Sequence, residues 1–600
     1  MSNVDLLLDS AFLAYNQKEY DKAEESARQA LILSPTNGDG LYLLGLIAIE
    51  SNALEPAEKL LYQAVQLYPE NKNYKLSLAF VLEKQGRLEE ALSFYEPFKE
   101  DAFVLAQIGF VYLKKGQADF AKSAFEKALT INKGVATAYI GLALILRGQG
   151  QYEKALDCLV QGESETKTAE LLYQKAVTYR LMGKFSAGLR EIERALSLEK
   201  TAAFYNEKGL NEEGLNLMEG AKLSYGQALD MNAYFADAYA NLGNLYLKEN
   251  DFKRAEDAYK RALGVDKDFL NAHHNLALLL HKMGRLTEAL EHFRSVIILN
   301  PRHQEALYNL AIILEEMGEY EEAAGLYFNL LTWQDNQEWL VLRLRIQNTL
   351  YLLAKGDKKA KKQARSFAKG WAKSFPNCLV AKVTNAALNH EKISDEEAKA
   401  YATQLYDAFA NTYDEVIEKL DAKALGKIVP LLPKGVQKVL DLGCGTGSLA
   451  DYLMQDVPEL VGVDISKKML DKAMEKKAYT RLVHQDVCTF LRADTDTYDA
   501  IIASDVVPYL SDLKGFLSLI HNRLNATGVL LMTVEIGDEE AGILSENGRF
   551  CYKAEWLKSC FNALGFVLKH FDEIPLRKEG DSIAKGVLIL AQTNKEDCSV

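Results

Sequence analysis

The spacing of apolar residues divides the chain into two parts. Up to about residue 333, apolar residues recur at the spacing of one helical face, which predicts successive pairs of amphipathic helices. One small residue, in the motif [YFL]-x-x-A after a glycine-containing turn, marks each pair: Ala23, Ala57, Ala91, Ala121, Ala155, Gly188, Ala221, Ala255, Ala289 and Ala323. The steps between them are 34, 34, 30, 34, 33, 33, 34, 34 and 34 residues. Chance does not produce such a series, so this part is a repeat array.

Two further signals recur within the repeats. An aromatic residue or leucine often follows the small residue four positions later on the same helical face: Leu61, Tyr95, Phe125, Tyr225, Tyr259, Phe293 and Tyr327. Proline stands twelve positions after the small residue at Pro35, Pro69 and Pro301, where it stops the second helix. With these residues at this period, the region resembles the tetratricopeptide repeat in ten units. The resemblance implies an all-α superhelix whose long concave surface holds a partner.

An asparagine recurs in three successive repeats, at Asn241, Asn275 and Asn309, just before a Leu-Gly or Leu-Ala pair. Amide side chains one repeat apart could bond alternate peptide groups of an extended ligand. A similar asparagine ladder is known in the superhelix of the O-linked N-acetylglucosamine transferases. We therefore expect a bound protein or peptide here. The alternative is that asparagine is simply common at this repeat position.

The sequence predicts three regions: the repeat array over 1–333, a helical connector over 334–393, and a third domain over 394–600. The connector holds a basic segment, 355–373, which is either a docking patch for an acidic partner or nucleic acid, or the solvated face of a helix. It also holds a degenerate eleventh repeat around Ala364 and Pro376. A Ser-x-x-Glu capping box opens the third domain at Ser394.

Short β-branched runs alternate with helical patterns in the third domain. These runs are KVLDLG (438–443), LVGVDI (460–465), TRLVHQDV (480–487), YDAIIASDV (498–506), GVLLMTVE (528–535), FVLKHFDEI (566–574) and GVLILAQ (586–592). Alternation of this kind predicts an α/β doubly wound parallel sheet with helices on both faces, here with seven strands. The last two runs are separated by a short loop, so we expect an antiparallel hairpin at one edge.

The first strand leads into a glycine-rich loop, DLGCGTGSLA, at 441–450. Gly443, Gly445 and Gly447 let the backbone turn tightly and approach a ligand, and the following helix begins at that ligand. Asp464 ends the second strand, where an acidic side chain can accept both hydroxyls of a ribose. The site should therefore hold an adenosine-type cofactor. The nicotinamide fingerprint G-x-G-x-x-G is not met, because Ser448 stands where its last glycine would be.

The loop, with VGVDIS and HQDV after it, resembles the class I S-adenosylmethionine-dependent methyltransferases, over about residues 400–592. The finer match is to a bacterial group that joins tetratricopeptide repeats to this enzyme. The resemblance implies S-adenosylmethionine as cofactor, with the methionine end at Asp441 and the loop. The remaining cofactor-binding positions that it implies are Cys444, Thr446, Ile465, Asp486, Val487 and Ser504, with Asp464 on the ribose and Asp486 and Val487 at the adenine.

The segment LYDAFANTYDEVIEKL, 405–420, resembles one that often covers the cofactor pocket in such enzymes. Tyr406, Phe409 and Tyr413 are spaced for one helical face, and we expect Tyr406 and Tyr413 to contact the cofactor. Their alternative role is ordinary core packing. For catalysis we name Asp505 and Tyr509. A proton-accepting group is needed only if the nucleophile must lose a proton, and further candidates near the pocket are Glu535, Arg549 and Tyr552.

Composition narrows the functional classes. Hydrophobic residues make up 48% and charged residues 26%, the net charge is −14, and no apolar run is long enough to cross a membrane. An acidic chain disfavours broad binding of nucleic acid. The seven cysteines form no C-x-x-C pair, so we interpret them as reduced thiols of a cytoplasmic protein, and we predict no metal site.

The acceptor stays open. The sequence 504–509 lacks the [DNS]-P-P-[YF] set that holds a planar amino group in enzymes methylating DNA bases or glutamine amides. Three hypotheses follow: a methyltransferase whose repeats recruit a protein or peptide acceptor, a small-molecule methyltransferase whose repeats assemble partner enzymes, and a scaffold with an inactive catalytic domain. The intact glycine loop and Asp464 weigh against the scaffold.

Overall fold

A computed structural model describes residues 3–333, 340–419, 424–453, 457–538, 543–579 and 582–593 of the chain. The chain divides into two compact units, residues 1–279 and 280–600. Neither the boundary predicted at residue 333 nor the one predicted at residue 394 coincides with this division, and both stay predictions. No helix of the described ranges is long and apolar enough to span a bilayer.

Helices alone fill the described chain up to residue 389. Their bounds are α1 (Asn3–Asn16), α2 (Tyr20–Leu33), α3 (Gly38–Glu50), α4 (Leu54–Leu67), α5 (Lys72–Lys84), α6 (Leu88–Tyr95), α7 (Ala102–Lys114), α8 (Ala118–Ile131), α9 (Ala136–Gly148), α10 (Tyr152–Glu165), α11 (Ala169–Leu181), α12 (Phe185–Leu198), α13 (Ala202–Gly214), α14 (Met218–Met231), α15 (Ala236–Lys248), α16 (Phe252–Val265), α17 (Leu270–Lys282), α18 (Leu286–Leu299), α19 (Gln304–Glu316), α20 (Tyr320–Thr332), α21 (Leu340–Ala354), α22 (Lys358–Ser374) and α23 (Leu379–Asn389).

The small residue of each predicted repeat is the fourth residue of an even-numbered helix from α2 to α20. All ten are buried, so the helix pairs approach closely where the sequence predicted. Helices α2, α4 and α18 each end two residues before the prolines at 35, 69 and 301. Helix α22 likewise ends two residues before Pro376, and Ala364 is fully buried, but Ala364 is the seventh residue of its helix. The eleventh repeat therefore stays a prediction.

Aromatic residues of the second helix fill space that glycine leaves in the first helix. A Cβ atom at Gly243 on α15 would lie 2.5 Å from Cε1 of Tyr259 on α16. The Tyr259 ring is fully buried, and its hydroxyl donates to Oδ1 of Asn244 over 2.8 Å. The ring therefore has little freedom to move away, and the repeat depends on glycine at this position.

The remaining elements belong to the second unit. They are α24 (Asp395–Phe409), α25 (Tyr413–Lys419), α26 (Ala424–Ile428), β1 (Lys438–Leu442), α27 (Leu449–Tyr452), β2 (Glu459–Asp464), α28 (Lys467–Glu475), β3 (Arg481–His484), α29 (Val487–Ala493), β4 (Tyr498–Ala503), α30 (Leu513–Arg523), β5 (Leu524–Glu535), α31 (Ala554–Ala563), β6 (Phe566–Glu579) and β7 (Ser582–Thr593). Short 3₁₀ turns cover Glu96–Phe98, Val429–Leu431 and Val507–Tyr509.

The seven strands form one sheet in the order β3-β2-β1-β4-β5-β7-β6. Strands β1 to β5 pair in parallel, and β7 pairs antiparallel with both β5 and β6, so the predicted fold class and edge hairpin are confirmed. The central strands are buried along almost their whole length, as β-branched runs with helices on both faces should be. The pairing of β6 shifts register twice, once between Pro575 and Arg577.

One predicted element is interrupted. Helix α24 ends at Phe409 and α25 begins at Tyr413, so Tyr406, Phe409 and Tyr413 do not share a continuous helical face. Residues 410–412 form a turn, in which the N–H of Thr412 donates to the carbonyl of Phe409 over 2.9 Å. Asparagine and threonine form local hydrogen bonds that compete with the helix, which explains the break at Asn411 and Thr412.

We predict that Gly243→Ala lowers the urea midpoint of the full chain, followed by circular dichroism. The clash with Tyr259 should cost about 1–3 kcal/mol, which outweighs the gain of roughly 1 kcal/mol in helix propensity. Gly264→Ala is the matched control, because nothing lies within 4 Å of its added Cβ. The control should leave the midpoint unchanged or raise it, and equal midpoints for the two variants would contradict the packing argument.

Candidate functional site

The glycine loop lies between β1 and α27, at the carboxyl edge of the sheet. Gly443, Gly445 and Gly447 have φ values of 71°, 55° and 80°, in the left-handed region that favours glycine. A Cβ at Gly443 would also lie 2.3 Å from Cγ2 of Val506. The helix that follows the loop is α27, Leu449–Tyr452.

Asp464 ends β2 and holds the glycine loop. Its Oδ2 accepts the N–H of Gly445 over 2.9 Å, and its Oδ1 accepts the N–H of Ser466 over 2.8 Å. The residue is 7% exposed, and burial raises its pKa although the two N–H groups oppose that shift. Asp464 therefore connects two turns at the edge of the sheet, and it also lines the cleft described below.

Asp441 lies within β1, behind the loop. Its Oδ2 accepts the hydroxyl of Tyr479 over 2.6 Å, and burial, with a smaller contribution from the nearby Asp464 carboxylate, raises its pKa to about 7. This carboxyl group thus changes charge near neutral pH.

Asp486 follows β3 and is the N-cap of α29. Its Oδ1 accepts the N–H groups of Cys488 and Thr489, and Lys399 lies 3.2 Å away. Burial opposes ionisation, but Thr489 and Lys399 together lower the pKa of Asp486. Asp486 therefore has a structural role and also lines the cleft next to Val487.

Ser504 and Asp505 follow β4, and Asp505 has a left-handed backbone with φ of 57°. Its N–H donates to Oγ1 of Thr533 over 3.2 Å, and its Oδ1 lies 3.9 Å from Nη1 of Arg577. Aspartate tolerates this conformation better than most residues. The turn brings both Asp505 and Tyr509 to the cleft wall.

Helices α24 and α25 contribute tyrosines to the wall of the site. The rings of Tyr406 and Tyr413 lie 6.1 Å apart, and the rings of Tyr406 and Tyr509 lie 5.5 Å apart. Asp407 accepts the hydroxyl of Ser466 over 2.5 Å, and Asp414 accepts the hydroxyl of Thr446 over 2.6 Å. Sequence reasoning missed both aspartates, although each follows one of the predicted tyrosines in a Tyr-Asp pair.

The predicted residues line two clefts. The first has an empty volume of about 680 Å³ and contains these predicted residues: Tyr406, Tyr413, Gly443, Gly445, Asp464, Ile465, Asp486, Val487, Ser504, Asp505 and Tyr509. The second, of about 760 Å³, shares Tyr413, Gly443, Gly445, Ser504 and Asp505 with the first and adds Asp441, Cys444 and Thr446. Gly447 serves packing instead, because its Cβ would lie 3.1 Å from the Tyr479 ring.

The first cleft also contains five residues that sequence reasoning did not name: Lys399, Ala402, Met469, Val506 and Leu510. The second contains Arg577 and Thr533, which were not named either. Lys399 and Arg577 come from elements far apart in the chain. Arg577 stands in the stretch LRKEGDSIAKGVLIL (576–590), which resembles the bacterial group, but that resemblance gave it no role.

Two further catalytic candidates, Glu535 and Tyr552, are buried and form hydrogen bonds with other residues. Glu535, 5% exposed, accepts Nη2–H of Arg577 over 2.7 Å and Nδ2–H of Asn547 over 3.2 Å, while Nη1 of Arg549 lies 3.6 Å away. Tyr552 donates its hydroxyl to the carbonyl of Leu510 over 2.9 Å.

The asparagines of the repeats are half-buried. Nδ2 of Asn241 donates to Oδ1 of Asn206 over 2.9 Å, and Nδ2 of Asn275 donates to Oδ1 of Asn244 over 2.8 Å. One N–H of each of these two amides is thus used within the array, and the predicted contact with a peptide stays a prediction.

No group of three or more His, Cys, Asp or Glu side chains within the described ranges is arranged to hold a metal ion. No disulfide joins the six cysteines in these ranges, and Cys598 lies outside the described residues.

Comparison with known proteins matches both parts of the chain. A family model described as a methyltransferase domain matches residues 440–530, and models of the tetratricopeptide repeat match residues 8–72, 104–134, 236–269 and 274–336. A repeat-containing protein of Methanocaldococcus jannaschii is 25% identical over 41% of this chain and 47% of its own length. An uncharacterized methyltransferase of Mycobacterium tuberculosis is 30% identical over 17% of this chain and 51% of its own length.

The chain spans about half or less of the length of these curated relatives. Among solved structures, a tetratricopeptide repeat protein from Parabacteroides merdae is 24% identical, with a TM-score of 0.33, over 38% of this chain and 93% of that one. The repeat models cover helix pairs of the first part of the chain, and the methyltransferase model covers the region of strands β1 to β5. The chain joins a tetratricopeptide-repeat region to a methyltransferase domain.

Proposed function

We propose that the protein is an S-adenosylmethionine-dependent methyltransferase whose repeats recruit a protein or peptide acceptor. One observation supports the cofactor most strongly. Asp464 holds the glycine loop through backbone N–H groups and at the same time lines the first cleft. A carboxylate fixed in this way can accept hydrogen bonds from both hydroxyls of a ribose. Because the glycines of the loop have no Cβ, the ligand can also approach the backbone closely.

The residues of the two clefts fit the whole cofactor. Asp486 and Val487 would receive the adenine, Asp464 and Ile465 the ribose, and Asp441 with Cys444 and Thr446 the methionine end. When bound, the cofactor supplies an activated methyl group. Tyr406 and Tyr413 line the first cleft, and contact of their rings with the cofactor would exclude water and fix the direction from which an acceptor can approach.

Asp505 and Tyr509 are the proposed groups next to the reacting atoms. Both line the first cleft, and the left-handed turn at Asp505 holds its carboxylate near Arg577. A carboxylate that lies 3.9 Å from a guanidinium is held in position, which suits the orientation of an acceptor. We therefore assign positioning to Asp505 and packing on the acceptor to Tyr509.

The repeats supply the proposed acceptor site. Asn241, Asn275 and Asn309 recur one repeat apart, and amides at that spacing suit an extended peptide backbone. Repeats of this family generally bind proteins, which favours a protein acceptor over a metabolite.

We predict that Asp464→Ala weakens S-adenosylhomocysteine binding by the full chain, measured by titration calorimetry. Loss of two hydrogen bonds to a charged group, each worth about 1.5–3 kcal/mol, should reduce affinity by at least roughly a hundredfold. Asp451→Ala is the matched control, because this carboxylate is 60% exposed and pairs only with Lys476 in the described structure. Unchanged affinity in Asp464→Ala would exclude the proposed ribose contact.

A second prediction follows from the raised pKa of Asp441. Because its proton is lost only near pH 7, the carboxylate that attracts the amino group of the ligand forms as the pH rises. Affinity for S-adenosylhomocysteine should therefore increase roughly tenfold between about pH 6 and about pH 8. Asp441→Asn should give weaker binding with a flat profile over this range. An equally steep profile in the variant would assign the titration to another group.

A third prediction concerns the acceptor. In a cell extract supplied with labelled S-adenosylmethionine, the double variant Asn241→Leu, Asn275→Leu should lose labelling of protein while it keeps its affinity for S-adenosylhomocysteine. Arg261→Ala is the control, because this side chain is 62% exposed on the second helix of a repeat. Labelling of a metabolite by both variants would instead support the small-molecule alternative.

A further inference from the structure

Three tyrosine rings stand at steep angles to one another along the first cleft. The rings of Tyr406 and Tyr413 lie 6.1 Å apart with an angle of 67° between their planes, and those of Tyr406 and Tyr509 lie 5.5 Å apart with an angle of 78°. All three side chains line the cleft. Rings at such angles form corners instead of a flat wall, and a corner of aromatic rings suits an ammonium group.

A carboxylate lines the same cleft as these rings. The Asp505 side chain is 36% exposed, and its Oδ1 lies 3.9 Å from Nη1 of Arg577, which is longer than a hydrogen bond. Arg577 lies closer to Glu535, to which it donates over 2.7 Å. Asp505 thus presents part of its charged surface to the cleft, where a cation could approach both the carboxylate and the rings.

The charged side chains that line the first cleft are mostly negative. They are the carboxylates of Asp464, Asp486 and Asp505 and the ammonium of Lys399. Lys399 lies 3.2 Å from Asp486, and Asp464 receives the ribose in the proposed function, on which this inference rests. Asp505 is the one of these three carboxylates that the adenosine part of the cofactor does not use. It is therefore available to a second ligand in the same cleft.

An amine acceptor would keep a positive charge in this cleft during the reaction. The charge moves from the sulfur to the acceptor nitrogen, so a carboxylate and aromatic rings stabilise a cation before and after the transfer. An anionic acceptor would instead give two neutral products. A hydroxyl acceptor would have to lose its proton, and burial raises the pKa of Tyr406 and Tyr413, so neither tyrosine accepts a proton at neutral pH.

We infer that the methyl acceptor is an aliphatic amine, bound in its ammonium form by Asp505 and the rings of Tyr406 and Tyr509. The ammonium releases one proton to water, which needs no side chain, because about one amine in a thousand is neutral near pH 7.4. The nitrogen then forms a bond with the methyl carbon as the sulfur–methyl bond breaks, and the bonding pair returns to sulfur. The products are a methylated ammonium and a neutral thioether.

The turn that follows Asp505 is held by the segment between β5 and α31. The N–H of Phe550 in this segment donates to the carbonyl of Pro508 over 3.0 Å. The segment is attached in turn to α22, where Nζ of Lys361 lies 2.5 Å from the Glu546 carboxylate. Part of the basic segment thus anchors one wall of the proposed amine site, which neither the docking-patch nor the solvated-face interpretation anticipated.

Saturation-transfer NMR on the full chain tests the amine. Calorimetry first establishes S-adenosylhomocysteine binding, and a failure at that step concerns the cofactor proposal alone. The loaded protein, whose ligand has no sulfonium charge, is then mixed near neutral pH with butylamine, with uncharged butanol or with anionic butyrate. We expect a signal for butylamine and none above background for the other two probes.

Variants locate the butylamine signal. Asp505→Asn should abolish it, because the charge is removed while asparagine tolerates the left-handed backbone as aspartate does. Tyr509→Leu should reduce the signal and Tyr509→Phe should retain it, since phenylalanine keeps the ring face. Asp471→Asn is the control, because this carboxylate is 57% exposed on α28 and lies outside both clefts.

Equal signals for the three probes, no signal for butylamine, or a butylamine signal that survives in Asp505→Asn would overturn the inference. So would loss of S-adenosylhomocysteine binding in Asp505→Asn, since Asp505 would then serve the cofactor or the fold. Equal loss in Tyr509→Phe and Tyr509→Leu would contradict the contact with the ring. In a cell extract, transferred label should survive acid hydrolysis as a methylated amine, and label that alkali releases as methanol would contradict an amine acceptor.

Discussion

The hydrogen bonds that the N–H groups of Gly445 and Ser466 donate to Asp464 are the interaction on which the site at the edge of the sheet depends. They hold the glycine loop against the end of β2 and keep a carboxylate at the carboxyl edge of the sheet. Burial of that carboxylate is tolerated because both of its oxygens accept a backbone hydrogen. The helices that close the site attach to the same two turns, since Asp407 bonds Ser466 and Asp414 bonds Thr446.

Much of the fold could be predicted because its signals are local and periodic. Every small residue of the repeats is buried, and all seven strands occur where the β-branched runs stand, since burial on both faces requires such runs. The positions of the glycine loop and of Asp464 could also be predicted. Few residues other than glycine adopt the left-handed backbone of the loop, and Asp464 stands at the end of a clear β-branched run. The break between Phe409 and Tyr413 was not predicted, because hydrophobic spacing continues across it.

The residues that sequence reasoning missed join parts of the chain far apart. Lys399 reaches Asp486 from α24, Arg577 reaches Glu535 from β6, and Lys361 reaches Glu546 from the last helical pair. No spacing rule relates such positions, because tertiary packing alone brings them together. Asp486 illustrates a different difficulty. An aspartate between a strand and a helix is expected both for a helix cap and for a cleft residue, so the sequence could not separate the two roles. In the structure Asp486 caps α29 and also lines the first cleft.

The register shift in β6 between Pro575 and Arg577 affects more than the cleft. Neighbouring side chains of a regular strand point to opposite faces, yet Leu576 and Arg577 are both buried, because the irregularity turns Arg577 inward. The same strand lies at the edge of the sheet, where unpaired backbone groups invite a strand of another molecule. A proline and two register shifts make β6 a poor template for such pairing. The feature that aims an arginine at Glu535 thus also protects the protein against edge-to-edge aggregation.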